Sequence, residues 1–138
     1  MAPRQWTKTF ETGHPVIDGQ HIKIFGFLDK IESLLTGDDG DATVATCKAF
    51  RAFMVKHFAD EEDILRQAEF PRLRQHMEEH SRVMGQMKKF FDNCNESCRT
   101  GNADSCMEDL SFHTLDHIIR LDLGFKSHLQ MKKMAPDR

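Results

Sequence analysis

HFADEEDILRQAEFPRLRQHMEEH, residues 57–80, is two helical stripes joined across a break. In its first half His57 and Glu61 stand four apart and are followed by Ile64 and Ala68; in its second, Leu73, His76 and His80 recur at steps of three and four. Such spacing places each set on one face of an α-helix. Pro71, directly after Phe70, falls where a first helical turn tolerates proline, so the break is a connection between two helices. Both stripes ought to be apolar, yet each carries histidine. Polar groups in a core cost free energy unless something satisfies them.

The same period extends outward in both directions. The second segment begins with Phe50 and Met54, and the third continues through Val83, Met87 and Phe90. Before them Ile17, His21, Ile24, Leu28, Ile31 and Leu35 make a first stripe; after them Met107, Leu110, Thr114, His117 and Leu121 make a less regular fourth. Turn residues in TGDDGD (36–41) and TGNADS (100–105) separate the segments. Strand signals are missing. Long helices joined by short loops pack as antiparallel neighbours, so the expected fold is all-α, an up-down-up-down four-helix bundle. Residues 1–16, with Trp6, Phe10 and Pro15, read as a non-helical N-terminal arm, and 17–134 as the bundle of a single domain covering 1–138. The first helix is expected to begin near Asp18, whose carboxylate can cap orphan N–H groups.

A chain of 138 residues with 39% hydrophobic and 30% charged side chains is long enough for one real core and has the balance of a globular protein. A net charge of −3 and the lack of a basic block argue against nucleic acid as a partner. No stretch approaches the roughly 20 apolar residues of a membrane span, and the N-terminus has no signal-like apolar run, so no membrane contact and a cytoplasmic setting are expected. Of the four cysteines, Cys94, Cys98 and Cys106 cluster without a zinc-ribbon spacing, and Cys47 stands apart. They read as thiols at a helix end and in the loop beyond, the alternative being a redox-sensitive pair that thiol blocking would expose.

Histidine occurs in all four stripes. His57 and Glu61, and likewise His76 and His80, project from adjacent turns of one face. His117 and Asp122 are five apart, a rotation of roughly 140° and an advance of about 7.5 Å, which suits a carboxylate reaching past its histidine to a second centre. One midsection can therefore gather His21, His57, Glu61, His76, His80, His117 and Asp122. A lone His21 would ordinarily be a hydrogen-bonded core residue, and a lone His57–Glu61 pair a surface ion pair. Seven such groups together are different. Without a cation, each unmet polar demand costs on the order of 1–3 kcal/mol; a metal removes the objection.

The donor set narrows the metal. It exceeds what one tetrahedral zinc uses and lacks the thiolates of structural zinc sites. Calcium and magnesium prefer all-oxygen shells. Imidazole with carboxylate suits iron, cobalt, nickel, copper or zinc. The number of donors suggests two ions. With both carboxylates bridging and one solvent-derived bridge, the donors fill all but one place on an octahedral pair, and that vacancy suits a small diatomic.

IDGQH (17–21), HFADEE (57–62), H-x-x-x-H (76–80) and HIIRLD (117–122) together resemble the hemerythrins, and more closely their bacterial domains. The resemblance covers nearly the whole chain. It implies two non-haem irons with an oxo or hydroxo bridge: His76, His80 and His117 on one, His21 and His57 on the other, Glu61 and Asp122 bridging. It also implies reversible O2 binding at the two-histidine iron, in a free carrier or store or in an O2-sensing domain fused to a larger signalling protein. Nitric oxide and azide are further small ligands such a site accepts. The Glu-x-x-His pairs of ferritin-like di-iron proteins are missing from the stripes; a histidine-rich shell carries less negative charge and favours binding over oxygenation. The protein is thus expected not to be an enzyme. The alternative is a di-iron oxidase, peroxidase or nitric oxide-handling enzyme on the same cluster.

Departures from the resemblance lie in the last segment. His113 stands where relatives often carry Trp, Phe125 where Tyr is common, and Arg120 near where a side chain guards the pocket; His113 or Arg120 admitting water would shorten the life of an oxygenated state. His14 and His128 fit none of the motifs and are read as non-ligands.

Overall fold

Three long helices dominate the computed structural model, which describes residues 10–35, 40–93, 114, 115, 117 and 122–131. They are α1 (Pro15–Leu35), α2 (Gly40–Gln67) and α3 (Leu73–Asn93). The fourth rod is seen as helical Thr114, Leu115 and His117, then a 3-10 turn over Asp122–Phe125 that runs into α4 (Lys126–Met131). The architecture is the expected all-α bundle behind a non-helical N-terminal stretch, and the described residues contain no strand. None of the described helices is long and apolar enough to cross a membrane.

Helix α1 starts at Pro15, three residues ahead of Asp18. His14 is its N-cap: its Nδ1 accepts from the Val16 N–H at 3.3 Å, and its carbonyl accepts from the Asp18 N–H at 2.9 Å. Proline in the first helical position loses no hydrogen bond there. Asp18, placed in the first turn, reaches backward instead. Its carboxylate accepts from the Thr12 N–H and hydroxyl, both at 2.8 Å, and from the Gly13 N–H at 3.0 Å. The carboxylate thus does satisfy orphan N–H groups, but those of the arm rather than of the helix, and Thr12 is completely buried.

The α2–α3 connection is equally specific. Glu69 adopts φ 55°, the Phe70 N–H donates to the Leu65 carbonyl, and the Glu69 N–H donates to the Arg66 carbonyl, both at 3.0 Å. This is a Schellman C-cap, with Leu65 and Phe70 making its apolar clasp. Glycine normally occupies the left-handed position, where a side chain costs roughly 1–2 kcal/mol. Glu69→Gly is expected to stabilise the protein by about 0.5–1 kcal/mol, part of the relief being offset by the freer unfolded chain. Chemical denaturation checks this; a lower midpoint would mean the Glu69 side chain contributes more than its backbone costs.

Two apolar clusters fill the interior. One joins Ile24, Phe25, Leu28 and Ile31 of α1 to Cys47, Phe50, Met54 and Phe58 of α2 and Val83 and Met87 of α3, with Leu115 against it. The other gathers Ile17, Leu65, Ala68, Phe70, Phe125 and Leu129. Along every rod the histidines and acids fall between the two, so a polar layer is sealed at both ends by hydrocarbon. The stripe read from the sequence is corrected at one point: Leu65, not Ile64, is the fully buried residue after Glu61, while Ile64 packs at the edge. Four-residue steps at 57, 61 and 65 keep the buried line parallel to a slightly different groove than steps of three would. The side chains of Leu35, Phe90, Met107, Leu110 and Leu121 lie outside the described set.

Candidate metal centre

All seven groups picked from the stripes meet in the polar layer. His21, His57, Glu61 and Asp122 have no exposed surface, and His76, His80 and His117 retain only 6%, 3% and 1%. Their ligand atoms form two overlapping sets, Glu61, His76, His80, His117 and Asp122 in one and His21, His57, Glu61 and Asp122 in the other, each within 4.8 Å of one another. Histidine Nε2 atoms face the centre throughout.

The two carboxylates divide their oxygens between the sets. Glu61 Oε1 lies 2.6 Å from His76, 3.0 Å from His80 and 3.9 Å from His117, and Asp122 Oδ1 lies 3.2 Å from His76 and 2.9 Å from His117. The other oxygens face the other way: Glu61 Oε2 is 3.3 Å from His57 and 3.8 Å from His21, and Asp122 Oδ2 is 2.8 Å from His21 and 4.0 Å from His57. Each acid therefore presents one oxygen to the three-histidine set and one to the two-histidine set.

Helix geometry explains most of this placement. His57 and Glu61 sit on adjacent turns of α2, and His76 and His80 on adjacent turns of α3, as their spacing requires. The last pair belongs to the fourth rod. His117 is π-helical and Asp122 begins a 3-10 turn, and residues 118–121 lie outside the described set. Asp122 nevertheless reaches both sets, 2.8 Å from His21 and 2.9 Å from His117.

Hydrogen-bond bookkeeping then tests whether a metal fits. His57 Nε2, Glu61 Oε2, His117 Nε2 and Asp122 Oδ1 are buried and lack a hydrogen bond of acceptable geometry. Orphaned atoms of this number are rare in native interiors. All four belong to the two overlapping sets, and imidazole nitrogen with carboxylate oxygen is a transition-metal donor set. The residues fit a bound cation.

Charges without a metal point the same way. Burial opposes charge on His21, but contacts to Asp122 and Glu61 outweigh it and raise the pKa to about 9. Burial likewise opposes charge on His76, and the same two acids raise it to about 10. For His57 burial wins, helped by His21 and His117, and the value falls to about 4. Burial pushes both carboxyls upward, yet the imidazoles around them hold Glu61 and Asp122 below the usual carboxylate range. Protons on His21 and His76 stand in for cations.

Sequence reading missed the residues behind the clustered histidines. His57 Nδ1 contacts Gln20 Oε1 at 2.7 Å, and His80 Nδ1 contacts Glu62 Oε2 at 2.6 Å. Phe58, one turn before Glu62, stacks on the His80 ring at 4.0 Å between centroids and 16° between planes, so one helix face grips a single imidazole by face and edge. A signal did exist for Gln20, which lies three after Ile17 and four before Ile24 and so flanks the buried stripe. His14 caps α1, and His128 Nε2 lies 2.7 Å from the Ala68 carbonyl, so neither joins the cluster. Phe125 is fully buried in the second apolar cluster, and Cys47 in the first. His113, Arg120, Cys94, Cys98 and Cys106 lie outside the described residues.

Comparison with known proteins agrees with this geometry. The family model for the hemerythrin HHE cation-binding domain matches residues 12–122, a span that opens at the Thr12 anchor of Asp18 and closes at Asp122 itself. No curated protein and no solved structure matched the chain. A match over that much of a 138-residue chain, containing every member of the buried cluster, places the protein in the hemerythrin HHE cation-binding domain family.

Proposed function

We propose that the chain is a non-haem di-iron protein that binds O2 reversibly between its helices, and that it is a binding protein rather than an enzyme. The observation that carries this reading is the division of the Glu61 and Asp122 oxygens between two histidine sets, the arrangement two bridged ions require. Three imidazoles serve one position and two the other, so the second is a donor short, a place that a small ligand would complete. A ferrous pair supplies the electrons that binding O2 as a reduced species needs. The protein's part is positioning and exclusion. Phe58 and the apolar clusters on either side keep water from the polar layer, and histidine in place of carboxylate limits its negative charge. Nitric oxide and azide suit the same vacancy.

Either role implied by the family, an O2 carrier or store or the sensing domain of a larger signalling protein, uses this site. A sensor additionally needs contacts that differ between two states. Anaerobic reconstitution with ferrous iron followed by O2 titration under visible spectroscopy tests the reading. About two irons per chain and an oxygenated spectrum that reverses under vacuum are expected. Immediate ferric product with consumption of peroxide would favour the oxidase, peroxidase or nitric oxide-handling alternative. Zinc in place of iron in freshly purified protein would remove the di-iron reading.

A further inference from the structure

One histidine of each set is backed by different chemistry. Behind the three-histidine set, Glu62 places a carboxylate oxygen 2.6 Å from His80 Nδ1. Behind the two-histidine set, Gln20 places an amide oxygen 2.7 Å from His57 Nδ1. An acceptor at Nδ1 fixes the proton there and leaves the Nε2 lone pair facing Glu61 in both cases.

The amide cannot turn round. Gln20 Nε2 donates to Asp60 Oδ2 at 2.8 Å, which holds Oε1 toward the imidazole. Asp60 is itself a carboxylate, but it stands one residue further out and Lys56 Nζ meets the same oxygen at 2.7 Å. So His57 of the two-histidine set is backed by a neutral group whose nearest charge is already compensated. His80 of the three-histidine set is backed directly by an anion that is only 20% exposed. Glu61 and Asp122 do not cancel this difference, because each gives one oxygen to each side.

A carboxylate on an imidazole N–H raises the basicity of the opposite nitrogen, whereas an amide does so far less. A more basic donor stabilises the higher oxidation state of its metal. We propose that Glu62 and Gln20 are positioning residues that split the two metal positions by electron affinity: the His76–His80–His117 position holds the ferric state more tightly, and the His21–His57 position accepts the first electron. This rests on the di-iron reading above.

Redox titration of the iron-loaded full chain tests the split. Wild type is expected to show two separated one-electron steps. Glu62→Gln should raise the lower potential, and Gln20→Glu should lower the higher one, each by about 60 mV, equivalent to a tenfold change in a one-electron equilibrium. Either substitution then narrows the gap, whereas a merely structural defect would not move two potentials in opposite directions. Zinc-loaded protein supplies a readout free of iron chemistry: the His80 Nδ1 proton should resonate downfield of the His57 proton, and Glu62→Gln should remove the difference. Unmoved potentials in variants that still hold two irons, or a His80 proton indifferent to Glu62→Gln, would overturn the proposal. Wild-type protein that loads fewer than two irons would instead bring down the di-iron reading on which it stands.

Discussion

Glu61→Ala is expected to strip both metal ions from the protein, while His57→Ala releases only one. Glu61 belongs to both ligand sets and offers a different oxygen to each, so its loss removes a bridge and leaves the imidazoles of two positions facing one remaining acid. Removing one partner of a buried charge pair costs about 3–5 kcal/mol, which is a fall of roughly 10²–10⁴ in affinity at each position. His57, by contrast, lies in the smaller set alone. Metal analysis after dialysis against a weak chelator reads the difference. Equal metal contents in the two variants would mean that Glu61 does not bridge, and the two-ion arrangement would have to be abandoned.

Metal removal should have the second large effect, and its size should depend on pH in a direction the site's charges specify. At metal concentrations of about 1,000 times Kd, binding to the folded state alone stabilises by about 4 kcal/mol, or roughly 10–15 °C in Tm for a domain of this length. In the metal-free protein His21 and His76 have raised pKa values, about 9 and about 10. The stability they contribute is therefore complete below the unfolded value near 6.5 and lost as pH climbs through 9 to 10. His57 is shifted the opposite way, to about 4. Its neutral burial costs stability as pH falls from about 6.5 toward 4, because the unfolded chain takes up the proton first. The depressed Glu61 and Asp122 carboxyls add to that acid loss, their contribution being present above the ordinary carboxylate range and vanishing below it.

Metal-free protein is accordingly expected to be most stable near pH 6–7 and to weaken on both sides. The loaded protein needs no protons on His21 or His76, since the cations have taken their place, so its alkaline loss should disappear while its acid loss steepens through competition between protons and metal. The stabilisation by metal is thus larger at pH 9.5 than at pH 6.5. Thermal melts of chelated and loaded protein at those two pH values check this. Parallel alkaline losses in both forms would show that the imidazoles do not exchange protons for metal.

Periodicity carried most of the architecture. Stripes at steps of three and four separate helical segments from their connections without any knowledge of packing, because the 3.6-residue turn makes burial on a single helix a function of position along the chain. Chemistry marked out the cluster: seven ionisable groups on stripes that should be apolar are costly together unless a cation joins them, and no partner need be seen to say so. His21, His57, Glu61, His76, His80, His117 and Asp122 were all legible on those grounds, and the structure buries every one. Even where the fourth stripe was irregular, His117 and Asp122 stood out by residue type.

Tertiary structure alone decided what lies between helices. Which oxygen of Glu61 turns to which histidines, why Leu65 rather than Ile64 is sealed, and how Gln20 comes to hold His57 all depend on the rotation and axial offset of one helix against its neighbour. Spacing within a chain does not encode those two quantities; packing does. Local backbone was equally invisible, as at the π-helical His117 and the 3-10 turn that begins at Asp122. A sequence thus states which groups must be buried and charged. Only the folded chain states which of them face each other.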